Sequence, residues 1–253
     1  MQTFYDFLAS DYHLVYEDWN ASMIRQAAAL DTVIRLRWPE TSAILDVACG
    51  IGTQSLGLAA LGWSVRASDL SPASVERARR EAQARGLSIG FSVADMRDAA
   101  EFHGAGHDLV LCADNSLPHL QTDEEILRAL RQFFACLRPG GGCLLSMRDY
   151  RPEDLAERRE LPVVEHVVDG DRMRIWQVWD PDPPHYELSL HILGTRGDPA
   201  GRHRVLRTRY YAVPVERVLA MMHEAGFVDV RRLDGVFYQP LLVGDRPCEK
   251  SRS

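Results

Sequence analysis

The stretch Asp46-Val47-Ala48-Cys49-Gly50-Ile51-Gly52 decides the reading of this chain. An apolar run over 43–47 leads into it, and an apolar helical segment over roughly 53–61 follows. A glycine-rich turn from strand to helix is where an α/β sheet binds nucleotides. Glycine is needed there because the turn calls for positive φ and because a Cβ would hold a ligand off the backbone. A lone Gly-x-Gly is a weak signal. Asp69, however, ends the next predicted strand, 64–69, and a carboxylate at that point accepts the hydroxyls of a ribose. Loop and carboxylate together point to a nucleoside-containing ligand.

Outward from the loop the alternation continues. Ser71 and Pro72 supply the N-cap and first turn of a helix reaching about 85. Strands follow over 88–94 and 108–113. Thr122 and Glu125 form a capping box for a helix to 138, and a Pro-Gly-Gly-Gly turn at 139–142 leads into a strand over 143–147. On the N-terminal side Met23, Ala27, Leu30 and Ile34 recur at helical spacing over 17–38, where Pro39 stops the run. Strands alternating with helices at these lengths predict a parallel sheet covered on both faces.

From 163 onward the pattern changes. Segments 163–168, 173–178, 186–193 and 204–212 show no helical period and are separated by Gly, Asp and Pro, which predicts an antiparallel flap. A helix over 214–225 and strands over 227–233 and 240–243 then complete the main sheet. The expected fold class is α/β, a doubly wound Rossmann-like seven-stranded mostly parallel sheet with an inserted antiparallel β flap. The expected segments are an N-terminal helical cap (1–40), the core (41–150), the flap or lid (151–213), the closing helix and last two strands (214–245) and a tail (246–253).

Composition narrows the function. With 253 residues, 46% of them hydrophobic, the chain can build one large domain or one domain with a lid. A net charge of −7 argues against a nucleic-acid surface, which needs clustered cations. Of the 29 basic residues only Lys250 is a lysine, which excludes a Walker phosphate loop and an internal Schiff-base lysine. Asp6 and Asp11 stand where a secretory leader would be basic and then apolar, and no apolar run reaches the roughly 18 residues of a membrane span. Five scattered cysteines without a C-x-x-C pair suit a reducing cytoplasm. His103 and His107 are four apart, but Gly104 and Gly106 break the helix a metal pair would need, so no metal is expected. Cys49 reads as a small packed residue of the loop.

A dinucleotide site would want a third glycine where this chain has Ser55, so a ligand without phosphate fits better and hydride transfer is the weaker reading. The sequence here resembles the class I S-adenosylmethionine-dependent methyltransferases, over about 40–150 and more loosely over 214–243. That resemblance implies S-adenosyl-L-methionine as cofactor. It implies cofactor contacts from Asp46, Ala48, Gly50, Gly52 and Gln54 around the glycine loop, from Asp69 and Leu70 at the ribose, and from Asp95 and Met96 at the adenine. Ala113 and Tyr5 complete the set, and the narrower resemblance below adds Arg25 on the cofactor's own carboxylate. Ala48 stands where the family often has its first glycine.

A narrower resemblance lies in Asn115-Ser116-Leu117-Pro118-His119-Leu120 and Met147-Arg148-Asp149-Tyr150. These look like the Asn-Ser-x-x-His-Leu and Arg-Asn-Tyr stretches of the glycine and sarcosine N-methyltransferases. They imply Arg148 as receiver of a substrate carboxylate, with Asn115, Tyr150 and Tyr211 lining the acceptor site. His119, Asn115 and Tyr12 would stand beside the reacting atoms, His119 and Asp114 on the rim where an amine must lose its proton. The tyrosine segment from Tyr5 to Tyr16 and the flap also match sugar-amine methyltransferases. Asp149 replaces the family's Asn, and substrate identity does not carry over.

The expectation is a cytoplasmic enzyme that methylates the nitrogen of a small amine or amino-acid-like acceptor, by an in-line displacement in which positioning does most of the work. The alternatives are O- or N-methylation of a larger natural product or sugar amine, a non-catalytic adenosyl-ligand-binding protein and, more distantly, an NAD-linked oxidoreductase. No nucleic acid or membrane partner is expected. A homodimer through the flap stays open, because Trp176, Trp179, Tyr210 and Tyr211 suit an acceptor wall, a lid core or a subunit contact equally.

Overall fold

A computed structural model of the protein describes residues 1–168, 170–194 and 203–248. Two short helical pieces come first, α1 (Gln2–Leu8) and a single turn at Tyr12–Val15, before the long α2 (Trp19–Arg37). The core then runs β1 (Ala43–Asp46), α3 (Thr53–Ala60), β2 (Ser64–Asp69), α4 (Pro72–Ala84), β3 (Gly90–Val93), α5 (Ala99–His103), β4 (His107–Cys112), α6 (Asp123–Cys136) and β5 (Leu137–Ser146). The flap holds β6 (Arg159–Glu160), β7 (Val164–Val168), β8 (Asp171–Asp182), β9 (His185–Gly194) and β10 (His203–Tyr211). The chain returns through α7 (Val215–Glu224), β11 (Val228–Leu233) and β12 (Leu241–Asp245).

The main sheet has seven strands in the order β11-β12-β5-β4-β1-β2-β3. Its pairs are parallel except those of β12, which runs antiparallel to both β5 and β11. Alternation along the strands sorts two cores. Leu45, Val110 and Leu145 pack with α6 and α7 on one face, whereas Ile44, Leu109, Leu111 and Leu144 pack with Leu30 and Ile34 of α2 and Leu58 of α3 on the other. The flap forms a separate antiparallel sheet in the order β10-β9-β8-β6, with β7 also on β8.

Local chemistry sets the helix starts. Ser71 accepts from the Ser74 amide with Pro72 behind it, and Thr122 accepts from the Glu125 amide. The Glu125 carboxylate accepts from the Gln121 amide, one residue before the cap itself. Stripes at helical spacing do the rest, as with Ile126, Ala129, Leu130 and Phe133 of α6, all fully buried. The expected turn at 139–142 is instead part of β5, which starts at Leu137. Packing explains the glycine there. A Cβ on Gly142 would fall 2.0 Å from the Trp38 indole, whose Nε1 donates to Asp245 Oδ1 at 2.8 Å.

Strand order reverses at β1, between β4 and β2. A crevice therefore opens at the carboxyl ends of these strands. Among the described residues no helix is long and apolar enough to cross a membrane.

Candidate active site

The glycine loop and Asp69 are one unit. Gly50 and Gly52 have φ of +54° and +93°, the left-handed region the loop was expected to need. The Gly50 amide donates to Asp69 Oδ2 at 2.8 Å and the Ser71 amide to Oδ1 at 2.9 Å. A carboxylate has about four acceptor positions, so these amides do not exhaust it. Behind the loop, Asp46 is buried and accepts from Ser55 Oγ at 2.6 Å and the Ala48 amide at 3.2 Å. Burial pushes its carboxyl up to about 7 and raises Asp69 in the same direction.

Strands three and four supply the facing wall. Asp95 lines the crevice while Arg97 grips it bidentately, and this fork holds its carboxyl below the ordinary value although burial works the other way. After β4 the backbone of Asp114 and Asn115 turns left-handed at φ +55° and +62°. Two successive non-glycine residues there store strain. They are held by Ser146, whose hydroxyl accepts from the Asp114 amide at 2.7 Å and whose carbonyl accepts from Asn115 at 3.0 Å. The kink projects Asp114 into the crevice, where the hydroxyls of Tyr12, Tyr16 and Tyr238 all donate to it.

Helix α1 closes the top. Asp6 accepts from the Ser71 hydroxyl and the Ala73 amide at the start of α4, which brings Tyr5 over the opening. The Tyr5 hydroxyl meets His119 Nε2, and buried His119 is pushed down to about 3 by desolvation, so its ring is neutral. The resulting cleft, about 720 Å³ with its open mouth, is lined by the glycine loop, Gln54, Asp69, Leu70, Asp95, Met96 and His119, beneath Tyr5 and Tyr12.

A second chamber, about 620 Å³ with the open solvent at its mouth, adjoins it between the core, the N-terminal segment and the flap. Tyr5, Tyr12 and Asp114 line both spaces. Arg148 lines only the second. Its guanidinium donates to the Tyr186 hydroxyl at 2.9 Å, lies 4.6 Å over the Trp179 ring, and has no ion-pair partner among the described residues. Burial works against its charge, but the oxygens of Tyr186, Tyr150 and Tyr210 more than offset that and hold its pKa above the ordinary value.

Residues 44–141 match the methyltransferase-domain family model. Over these residues the chain is similar to the methyltransferase domain. Over 135 residues the chain is 36% identical to the glycine/sarcosine N-methyltransferase of Parasynechococcus marenigrum, covering 53% of this chain and 46% of that protein. The chain spans about half the length of the curated relatives it matches. Among solved structures, the S-adenosylmethionine-bound amino pentose methyltransferase of Micromonospora echinaspora superposes with a TM-score of 0.77 at 23% identity, covering 94% of this chain and 95% of that one. The sugar N-methyltransferase of a Streptoalloteichus species gives 0.75 at 25% identity, over 89% and 88%.

The methyltransferase domain fits its cofactor. Asp69, Asp95 and Asp114 line the cleft and no arginine or lysine does, among the described residues, so it suits a sulfonium and disfavours a pyrophosphate. A Cβ on Gly50 would point toward the Tyr12 ring, 3.9 Å away, and both residues line the cleft.

The other expected residues are placed as follows. Gly52 caps α3 and Asp46 and Ala113 stand behind the lining, supporting it. Asn115 and Tyr150 form a bracket beside the chamber. The Asn115 amide donates to the Tyr150 hydroxyl at 2.7 Å, and its oxygen accepts from the Arg148 amide at 2.9 Å. Arg25 is not brought to the cleft. It opens on an outer groove and bonds Ser22, because α2 turns Gln26 inward and Arg25 sits about 100° round the helix. Gln26 then holds Gln54 at 2.6 Å. Tyr211 is likewise turned away, bonding Asp123, because side chains alternate along β10 and Tyr210 takes the inward position. Of the flap tryptophans, Trp179 packs under Arg148, whereas Trp176 stacks on His191. Sequence reasoning missed Gln177 in the chamber wall and the Tyr16 and Tyr238 contacts to Asp114. Only Tyr16 carried a signal, as part of the tyrosine segment.

Proposed function

We propose that the protein transfers a methyl group from S-adenosylmethionine to the nitrogen of a small amine that also carries an anionic group, an amino-acid-like acceptor. The observation that carries this reading is Arg148, a guanidinium without an ion-pair partner among the described residues, in the chamber next to the cofactor cleft. An arginine there is a ready fork for a carboxylate.

S-adenosylmethionine, when bound, supplies a methyl group on a sulfonium, which the amine lone pair takes as the carbon–sulfur bond breaks. The chain's own residues set up that displacement. Asp69 would hold the ribose and Asp95 would stand at the adenine. Asp114, lining both spaces, would orient the ammonium at their junction and its carboxylate would take one proton from it, leaving the amine lone pair free to attack. Arg148 would fix the far end of the acceptor, so that nitrogen and methyl meet in line. His119 stays neutral, and its role in this reading is to hold Tyr5 over the cleft.

The test is release of S-adenosylhomocysteine with amino acids, uncarboxylated amines, amino sugars and phenols as acceptors. Turnover restricted to acidic amines is expected, with Arg148→Ala lowering kcat/KM about 100-fold and leaving S-adenosylhomocysteine affinity unchanged. Turnover of uncarboxylated amines or phenols alone overturns the reading. A second reading, an amino-sugar or larger natural-product acceptor, is favoured by the fold-wide likeness to a sugar N-methyltransferase. Ligand binding without product for any acceptor would mark a sensor. Four buried cysteines and no disulfide among the described residues support a reducing compartment. The half-buried Trp176 stack on the flap supports a subunit contact there, which light scattering tests.

A further inference from the structure

Strand β8 turns Ile175, Gln177 and Trp179 to one side. Ile175 and Trp179 are buried in the core, and Gln177 between them lines the second chamber. Their partners on β9, Ile192, Leu190 and Leu188, are apolar and buried. Gln177 is thus a polar group set in an apolar row, and an amide there costs free energy unless both of its ends find partners. One end has a partner in the protein. Trp179 Nε1 lies 3.2 Å from the Gln177 oxygen, and because an indole N–H only donates, the end of the amide that faces it is the oxygen. The amide N–H groups are the other end, and they have no partner among the described residues.

The same indole carries Arg148. Its guanidinium lies 4.6 Å over the Trp179 ring, gives one N–H to the Tyr186 hydroxyl at 2.9 Å, and lines the same chamber as Gln177. Trp179 therefore holds two sets of donors toward one space, Arg148 on its ring face and Gln177 on its edge nitrogen. Neither is paired with a carboxylate among the described residues. Donors left open in this way call for a group on the ligand that only accepts, and a carboxylate is such a group.

From this we infer that Gln177 is a second donor to the acceptor's anionic group, set beside Arg148 by Trp179, and that it makes the site prefer a carboxylate to an uncharged amide. The inference rests on the acidic-amine reading above and adds to it a specificity-determining residue on the flap. A hydrogen bond to a charged group is stronger than one between neutral groups, so its loss is felt as about tenfold or more in KM.

The experiment measures kcat and KM of the full chain for glycine, L-alanine, L-serine and L-phenylalanine, each against its own primary amide. Two variants are compared with the wild type. Gln177→Met removes the amide at nearly constant volume. Gln177→Glu keeps an oxygen for Trp179 Nε1 and turns the donor end into an acceptor. Both are expected to raise KM for the amino acids, about tenfold for Gln177→Met and more for Gln177→Glu, with kcat within about twofold. S-adenosylhomocysteine affinity, measured by calorimetry, should stay unchanged and verifies that each variant is folded. Gln177→Glu should also shift the preference from the acids toward their amides, which loss of a structural contact would not do. An unchanged KM in Gln177→Met overturns the role of Gln177 and leaves the acidic-amine reading standing. So does a KM raised in Gln177→Met but not in Gln177→Glu, since the bond to Trp179 would then be what matters. Wild-type turnover of the amides alone, or of neither series, overturns both.

Discussion

The Tyr5 hydroxyl lies 2.6 Å from His119 Nε2, joining α1 to the turn after β4 across the mouth of the cofactor cleft. The same hydroxyl is 3.2 Å from that of Tyr210 on the flap. One phenol thus ties together the N-terminal helix, the core and the flap. Removing it should loosen closure without emptying the cleft. Tyr5→Phe is expected to weaken S-adenosylhomocysteine binding about fivefold to tenfold, the worth of one buried hydrogen bond, chiefly through faster dissociation. Stopped-flow displacement measures this, and an unchanged off-rate would refute the closing role.

Gly50 makes a separate demand. At φ +54° an alanine costs about 1 kcal/mol or more in backbone strain, and its methyl would project into the cleft toward Tyr12. Gly50→Ala should lower the melting temperature by a few degrees and weaken cofactor binding more than tenfold. Loss of stability with full affinity would show that the loop does not touch the ligand.

Asp46 gives a pH signature. Its carboxyl is raised to about 7 by burial, so the folded state holds a proton that the unfolded chain releases near pH 4. Stability from this group is fully present below about pH 4 and is lost as pH rises through about 7. The unfolding free energy of the wild type relative to Asp46→Asn should therefore fall by an amount on the order of 4 kcal/mol over that window. Urea melts of the ligand-free protein at several pH values check it. Comparison with the variant cancels the opposite trend from His119, whose lowered pKa removes stability as pH falls.

Gly142→Ala tests the sheet. The added methyl would overlap Trp38, and overpacking of this kind costs about 1–3 kcal/mol. The melting temperature should drop while the folded protein keeps its cofactor affinity.

The alternation of strand and helix, the cap at Ser71 and the glycine loop were legible because each is written within a few consecutive residues. So were the positions of Asp69, which ends β2, and Asp95, two residues beyond β3. Side-chain direction was not. Tyr210 and Tyr211 are neighbours of equal chemistry, and only the register of β10 on β9 decides which enters the chamber. Arg25 and Gln26 pose the same ambiguity on a helix, settled by which residue meets Gln54. The Tyr238 contact to Asp114 spans 124 residues of chain and leaves no local trace. Residues 139–142 read as a turn, yet Gly142 serves a tryptophan distant in sequence.

Among the described residues none of the flap lines the cofactor cleft, whereas Gln177, Leu188, Leu190 and Tyr210 of the flap line the adjoining chamber. Tyr5, Tyr12 and Asp114 line both spaces, so the flap is the part of the lining that belongs to the chamber alone. On the proposed reading, strands β8 and β9 form an exchangeable cassette: new side chains there would change the acceptor's surroundings without altering a residue that lines the cleft.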